Sequence, residues 1–386
     1  MKILLVMSAF RLFSYEGNLY KRAGGTLHFY RYAPLGQLNL CCTVIEGVPE
    51  KETFNIGDMK LFPLKHIKNA KNLLKFSRSN YKMVKEAVEK SDAVIGYVPS
   101  SAAYAAFNFA KKQGKPYLAM AIGCPWDVLT HHGWKGKLIA PIQTLKMKKM
   151  MKKTDFSIYV TQKFLQKRYP SKGLSAGISN VILHDVNSNI LSQRLEKITS
   201  TTINSSNEIK LATCAAINVK YKGQEDVIKA LSKLQYKYNI HYYLAGNGDA
   251  SYLMLMAKKY NMTNRVHFLG GLKQEDVYNL FKNIDIYIHP SKTEGLPRSV
   301  VEAMSMAVPC LGANAGGTPE LLPKECVFKK GNISDIIKKI NWILDTRVLS
   351  DLAIVNFEKS KDFLFEKLEK ERNEFIQTWV NSFNCN

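Results

Sequence analysis

Apolar positions along this chain fall into two series of short hydrophobic runs separated by longer amphipathic stretches. The first series has runs at Lys2–Met7, Leu40–Ile45, Ala93–Tyr97, Tyr117–Ile122 and Phe156–Val160. The second has them at Lys210–Ala215, Tyr242–Ala245, Val266–Leu269, Asp285–His289 and Pro309–Gly312. Runs this short, joined by helix-length segments, predict strands of a parallel sheet covered by helices. Between residues 184 and 208 the sequence turns polar (NSNILSQRLEKITSTTINSSN), which predicts a linker. Residues 341–383 read as helical throughout. The pattern predicts an α/β chain with domains at 1–195 and 205–362 and a terminal helical segment at 363–386.

Composition narrows the class. At 386 residues with 46% hydrophobic content, the chain has the length and apolar material for two cores. No run of eighteen apolar residues occurs, so no membrane-spanning helix is expected. The apolar start, Met1–Met7, reads as a strand rather than a secretory signal. The seven cysteines are scattered without a C-x-x-C pair. That suits a reduced cytoplasm and argues against a disulfide framework or a zinc site.

The formal net charge of +23 points to a polyanionic partner: nucleic acid, an acidic membrane face or a phosphorylated lipid. Between Val128 and Thr154 there are seven lysines and no acidic residue. In a helix, Lys146, Lys148, Lys149, Lys152 and Lys153 fall in a sector of roughly 160°. Met147, Met150 and Met151 take the other side. A second basic stretch runs from Lys65 to Lys82, interleaved with Ile67, Leu73, Leu74 and Phe76. Two such stretches in one half of the chain suggest contact with a membrane surface.

The densest chemistry lies between Asp285 and Leu322 (DIYIHPSKTEGLPRSVVEAMSMAVPCLGANAGGTPELL). A strand and a Pro-Ser turn lead to Glu294; a helix then opens near Pro297 and carries Glu302 in its second turn. Pro suits the first helical position because its missing N–H would be unpaired there. The first N–H groups of that helix carry partial positive charge and favour a phosphate. Two carboxylates beside them add acceptors for sugar hydroxyls. The segment therefore reads as a cradle for a sugar nucleotide.

The same segment resembles the signature of the retaining family 4 glycosyltransferases, a Glu–seven residues–Glu motif with GG-x-P-E downstream. The resemblance implies a GT-B fold: two Rossmann-like domains facing across a cleft, with the last helix returning to the N-terminal domain through Phe363, Leu368, Phe375 and Trp379. It further implies that Glu302 binds the donor ribose and Glu294 the donor sugar's hydroxyls. Amides of Gly295 and Leu296, with Lys222 and Gly25, would stabilise charge on the leaving diphosphate. Gly24 and Gly25 form the Gly-Gly loop over that diphosphate. Gly246, Gly248 and Gly270 would shape the turns around the base. Gly123-Cys-Pro-Trp-Asp127, His131-His132-Gly133 and YVTQKFLQKRYP (159–170) resemble a subgroup that builds capsular and other surface polysaccharides. His132 matches the family histidine that reaches the donor sugar, with His131 its rival, while Arg168 and Tyr169 read as structural. The family's Arg before the Lys-Gly pair is replaced by Ile217, for which Lys220 could substitute. Cys124 stands where the subgroup often has Asp.

The resemblance thus implies a retaining hexosyl- or N-acetylhexosaminyltransferase, with a nucleotide-diphosphate sugar, expected to be UDP-linked, as donor. No separate cofactor is expected. No Asp-x-Asp pair occurs, so no metal is expected either. The expected acceptor is a lipid-linked oligosaccharide at the inner face of the cytoplasmic membrane, in capsule or lipopolysaccharide assembly. Nucleic acid is not expected as a partner. Two alternatives remain: a non-hydrolysing sugar-nucleotide epimerase of similar fold, and a non-catalytic polyanion-binding protein on a transferase scaffold.

Overall fold

The short apolar runs form parallel strands in two separate sheets. The computed structural model describes residues 1–21, 30–47, 52–66, 76–131, 133–184, 186–200 and 207–384. Gly24, Gly25 and His132, and most of the interleaved apolar positions of the second basic stretch, lie outside the described residues. Two units result, Met1–Asn180 with Glu371–Asn386, and Val181–Lys370.

The first unit holds β1 (Lys2–Tyr15), β2 (Asn18–Lys21), β3 (Gln37–Glu46), β4 (Glu52–Thr53), β5 (Lys60–Lys65), β6 (Ala93–Val98), β7 (Tyr117–Ala121), β8 (Phe156–Tyr159) and β9 (Leu174–Gly177). Strands β5-β3-β1-β6-β7-β8-β9 are parallel neighbours in that order. All six residues of β6 are buried, as a strand covered on both faces requires. β1 runs on to Tyr15, beyond the expected end at Met7, and folds back antiparallel on β2. β5 alternates exposed and buried residues at a sheet edge, so its sequence (KLFPLK) lacks a continuous apolar run.

From the tail helix Phe365–Asn384, Trp379 is buried and Phe375 meets Phe156 edge-on at 6.2 Å. Arg372 is fully buried, donating to the Ser179 carbonyl at 2.7 Å. Helix Gly133–Met151 buries Met147 and Met151 and exposes its lysines, as the sector analysis expects, but Met150, expected on the same side as the other two methionines, is only half-buried. Its earlier turns also turn large apolar side chains outward: Trp134 is 69% exposed, Leu138 65%, Ile142 44% and Leu145 55%. Among the described residues no helix is long and apolar enough to cross a membrane.

The second unit holds β10 (Glu208–Cys214), β11 (Asn239–Ala245), β12 (Val266–Gly270), β13 (Ile286–His289), β14 (Cys310–Ala313) and β15 (Val327–Phe328). All are parallel, in the order β12-β11-β10-β13-β14-β15. The chain winds outward one way from β10 and then the other way from β13. The crevice at the carboxyl ends of those two strands is the usual ligand site of a doubly wound sheet.

The stretch read as a linker is instead helical from Ser188 to Ser200. Its polar residues mark one solvated face, and the other face carries a buried cation. The Arg194 guanidinium donates to the carbonyls of Phe281 and Ile284, each at 2.5 Å, closing the end of helix Gln274–Asn283. Lys197 pairs with Asp285 at 2.8 Å beside it. Arg194→Ala takes the side-chain donor from the Phe281 carbonyl and leaves the Ile284 carbonyl to Lys197 alone, at 3.1 Å, and is expected to lower unfolding free energy by roughly 2 kcal/mol. Denaturant titration should show a lower midpoint with an unchanged slope.

Candidate functional site

The loops after β10, β13 and β14 interlock at the carboxyl edge of the second sheet. After β10 the chain makes a 3-10 turn, Lys220–Lys222, and passes Gly223 at φ 77° into helix Gln224–Leu234. A Cβ at Gly223 would stand 2.2 Å from the Pro290 carbonyl oxygen, so only glycine lets the two loops touch. The Lys292 amide then donates to the Tyr221 carbonyl at 2.7 Å. On the other side, Gly316 takes φ 57° and a Cβ there would lie 2.1 Å from the Glu294 carbonyl oxygen. The Gly317 amide donates to the Gly295 carbonyl at 2.6 Å.

This framework holds Glu294. Its Oε1 accepts from Lys222 Nζ at 2.6 Å and lies 3.1 Å from His289 Nε2. His289, the last residue of β13, is buried, and the Tyr287 hydroxyl behind it donates to Ser299 Oγ at 2.8 Å. Burial raises the Glu294 carboxyl, but the hydrogen bond and charge of His289 and the charge of Lys222 outweigh it and hold it at about 2. Its stabilising contribution is therefore present above the ordinary carboxyl range and is lost only as pH falls through about 2.

Glu302 sits differently. It lies in the second turn of helix Arg298–Ser305, with Pro297 one position earlier, at the N-cap. Burial raises its carboxyl, and Arg298 only partly offsets that. No hydrogen bond to its carboxylate is seen among the described residues. It faces the end of β10 and helix Gln274–Asn283 closely enough that its charge, after burial, helps raise Cys214 and Tyr278. A half-buried carboxylate without a hydrogen-bond partner is poised to accept hydroxyl donors from a ligand.

The remaining expected residues divide by location. Gly295 and Leu296 share the Glu294 loop. Gly246 and Gly248 follow β11, and the Gly246 amide donates to the Gly270 carbonyl at 2.7 Å. All of these line the same edge of one sheet. Lys220 holds its ammonium 4.2 Å from the centre of the Tyr252 ring, and Ile217 is buried. In the first unit, Arg168 pairs with Asp127 at 3.0 Å, and the Tyr169 hydroxyl lies 3.1 Å from Cys124 Sγ. Cys124 caps helix Pro125–Thr130. His131 closes that helix.

Sequence reasoning missed His289, Tyr287 and Ser299. The available signal was a histidine ending an otherwise apolar strand, a polar group that burial obliges to find a partner.

Two α/β units built on largely parallel sheets, the second with this interlocked carboxyl edge, are an architecture shared by proteins of many functions, and comparison with known proteins narrows the class. Residues 201–359 match the family described as glycosyl transferases group 1. The chain is 30% identical to Protein CapJ of Staphylococcus aureus over 99% of its own length and 96% of that protein's. It belongs to the group 1 glycosyltransferases. It is also 28% identical to the O-antigen biosynthesis glycosyltransferase WclY of Escherichia coli, over 36% of this chain and 38% of that one. Anabaena HepE, solved with UDP and glucose, superposes with a TM-score of 0.66 at 17% identity, covering 98% of this chain and 99% of that one. The fold is therefore GT-B.

Because the fold raises the Glu302 carboxyl above its ordinary range, its ionised form opposes folding at neutral and higher pH, and the penalty fades as pH falls and the group protonates. Glu302→Gln is thus expected to raise the melting temperature at about pH 8, with the gain shrinking toward about pH 4. Thermal scans across pH would check this; a variant less stable at every pH would contradict it.

Proposed function

We propose that the protein is a retaining glycosyltransferase whose donor is a nucleotide-diphosphate sugar, UDP-linked, bound at the carboxyl edge of the second sheet. The observation that carries this reading is the Lys222–Glu294 pair at the point where the strand order reverses. Glu294, held ionised and fixed by His289, accepts hydrogen bonds from hydroxyls of the donor sugar. Lys222 and the amides of Gly295 and Leu296 offset negative charge as the diphosphate departs. Donors fixed before reaction stabilise that charge without reorganising during it. Glu302 accepts from the ribose hydroxyls. Gly246, Gly248 and Gly270 leave backbone room for the base. Gly24, Gly25 and His132 complete the donor site in this reading, on the strength of the sequence resemblance. That HepE is solved with UDP and glucose supports the donor class.

A thermal-shift screen against UDP-, GDP-, ADP- and CMP-sugars tests the donor, since a ligand that binds the folded state raises the melting temperature. A UDP-sugar is expected to give the largest shift, and Glu302→Ala is expected to abolish it. Lys222→Met is expected to lower kcat by roughly 10²-fold, as loss of one charge-stabilising donor does elsewhere. Near-parental kcat in folded Lys222→Met would remove the lysine from the mechanism.

The acceptor in this reading is a lipid-linked glycan at an anionic membrane face, in assembly of capsule or lipopolysaccharide. The relation to WclY and the GCPWD and HHG segments support the pathway class. The lysines of helix Gly133–Met151 support the location, because anionic lipid attracts such patches and salt screens them. Sedimentation with vesicles should show binding that requires anionic lipid and weakens with salt. Binding indifferent to both would end the membrane reading.

A further inference from the structure

A cavity of about 380 Å³ in the first unit takes no part in the site above. It lies between helix Ser101–Lys112 and the second half of helix Gly133–Met151, and its size falls within the range of small-ligand sites, roughly 300–1,000 Å³. Its floor is aromatic: Phe107, buried, stacks on Tyr117 with ring centres 4.8 Å apart, and Tyr81 closes one side. Its rim is cationic, with Lys111 from one helix and Lys146, Lys149 and Lys153 from and just beyond the other. All four lysines are exposed, and among the described residues no carboxylate pairs with any of them. Like charges gathered around one hollow raise each other's energy until an anion enters. An aromatic floor beneath them favours an anion that brings hydrocarbon with it.

The ligand's source follows from the same helix. Trp134, Leu138, Ile142 and Leu145 recur at helical spacing on its outer face, each at least 44% exposed. An exposed apolar stripe of this kind, continued by lysines, is a surface that an anionic membrane interface would cover. We propose that this cavity binds the headgroup of a single anionic phospholipid. Its phosphate lies among Lys111, Lys146, Lys149 and Lys153, and its first methylenes rest on Tyr81, Phe107 and Tyr117. The choice of a membrane lipid rests on the membrane-surface reading above; the cavity's preference for an anionic amphiphile does not.

The test uses monomeric dioctanoyl phosphatidylglycerol below its micelle-forming concentration, followed by calorimetry on the full chain. It is expected to bind at least roughly tenfold more tightly than dioctanoyl phosphatidylcholine or inorganic phosphate. Lys146→Gln with Lys149→Gln should remove roughly tenfold or more of that affinity, while Lys135→Gln with Lys137→Gln, the same charge change outside the cavity, should leave it intact. Ala105→Leu, which adds bulk at the cavity wall, should weaken it too, in protein shown by circular dichroism to be folded. Equal affinity for the two lipids, equal affinity for phosphate alone, or equal loss in the two lysine pairs would overturn the proposal. If monomer binding persists while vesicle sedimentation fails, the membrane reading falls and the cavity stands as an anionic-amphiphile site. If vesicles bind and the monomer does not, the cavity proposal falls alone.

Discussion

The second unit is organised around keeping one carboxylate ionised where water scarcely reaches it. An unpaired buried charge would cost several kcal/mol, so Glu294 needs its cation and its histidine in fixed places. Lys222 comes from the turn after β10 and His289 from the end of β13, 67 positions further along the chain by sequence number. Their meeting depends on two loops that touch through Gly223 and on a third that touches through Gly316. The adjacency of β10 and β13 is thus needed twice, once for the sheet and once to neutralise Glu294. In the proposed reaction the same pairing gives the lysine a resting partner that it can share with an incoming diphosphate.

The sheets were legible in the sequence because parallel strands are buried on both faces and leave unbroken apolar runs. β6 and β13 are of this kind, and so is the run at Cys310–Ala313. Elements at edges were not legible. β5 alternates, β2 and β4 are short and antiparallel, and β9 is largely solvated. Helix Ser188–Ser200 was hidden by its own composition: its anchors are a buried arginine and a lysine, which read as solvent-facing residues until the carbonyls they serve are known. Within the candidate site, Glu294 and Glu302 stood out by spacing and Lys222 by the family resemblance. Their electrostatic difference did not, because spacing says nothing of partners. One carboxylate has two, and the other sits beside a cysteine and a tyrosine.

The excess positive charge is likewise less uniform than a net value suggests. The lysine sector at residues 146–153 was visible from helical geometry alone. The apolar residues of the preceding turns, taken alone, look like core. Only the burial of Gly136, Ile139 and Ala140 on the opposite side shows that Trp134 and its neighbours face outward.

The tail helix has a consequence for how the protein is made. Arg372 and Trp379 are buried against a unit whose sheet begins at residue 2, and Arg372 reaches back 193 positions to Ser179. A ribosome delivers the entire second unit before it delivers these side chains. The earlier-synthesised unit must therefore wait, with its place for Trp379 open to water and to other nascent chains, while the later one can already close. Order of synthesis and order of completion run in opposite directions, which makes the first unit the one most exposed to chaperones and to aggregation during translation.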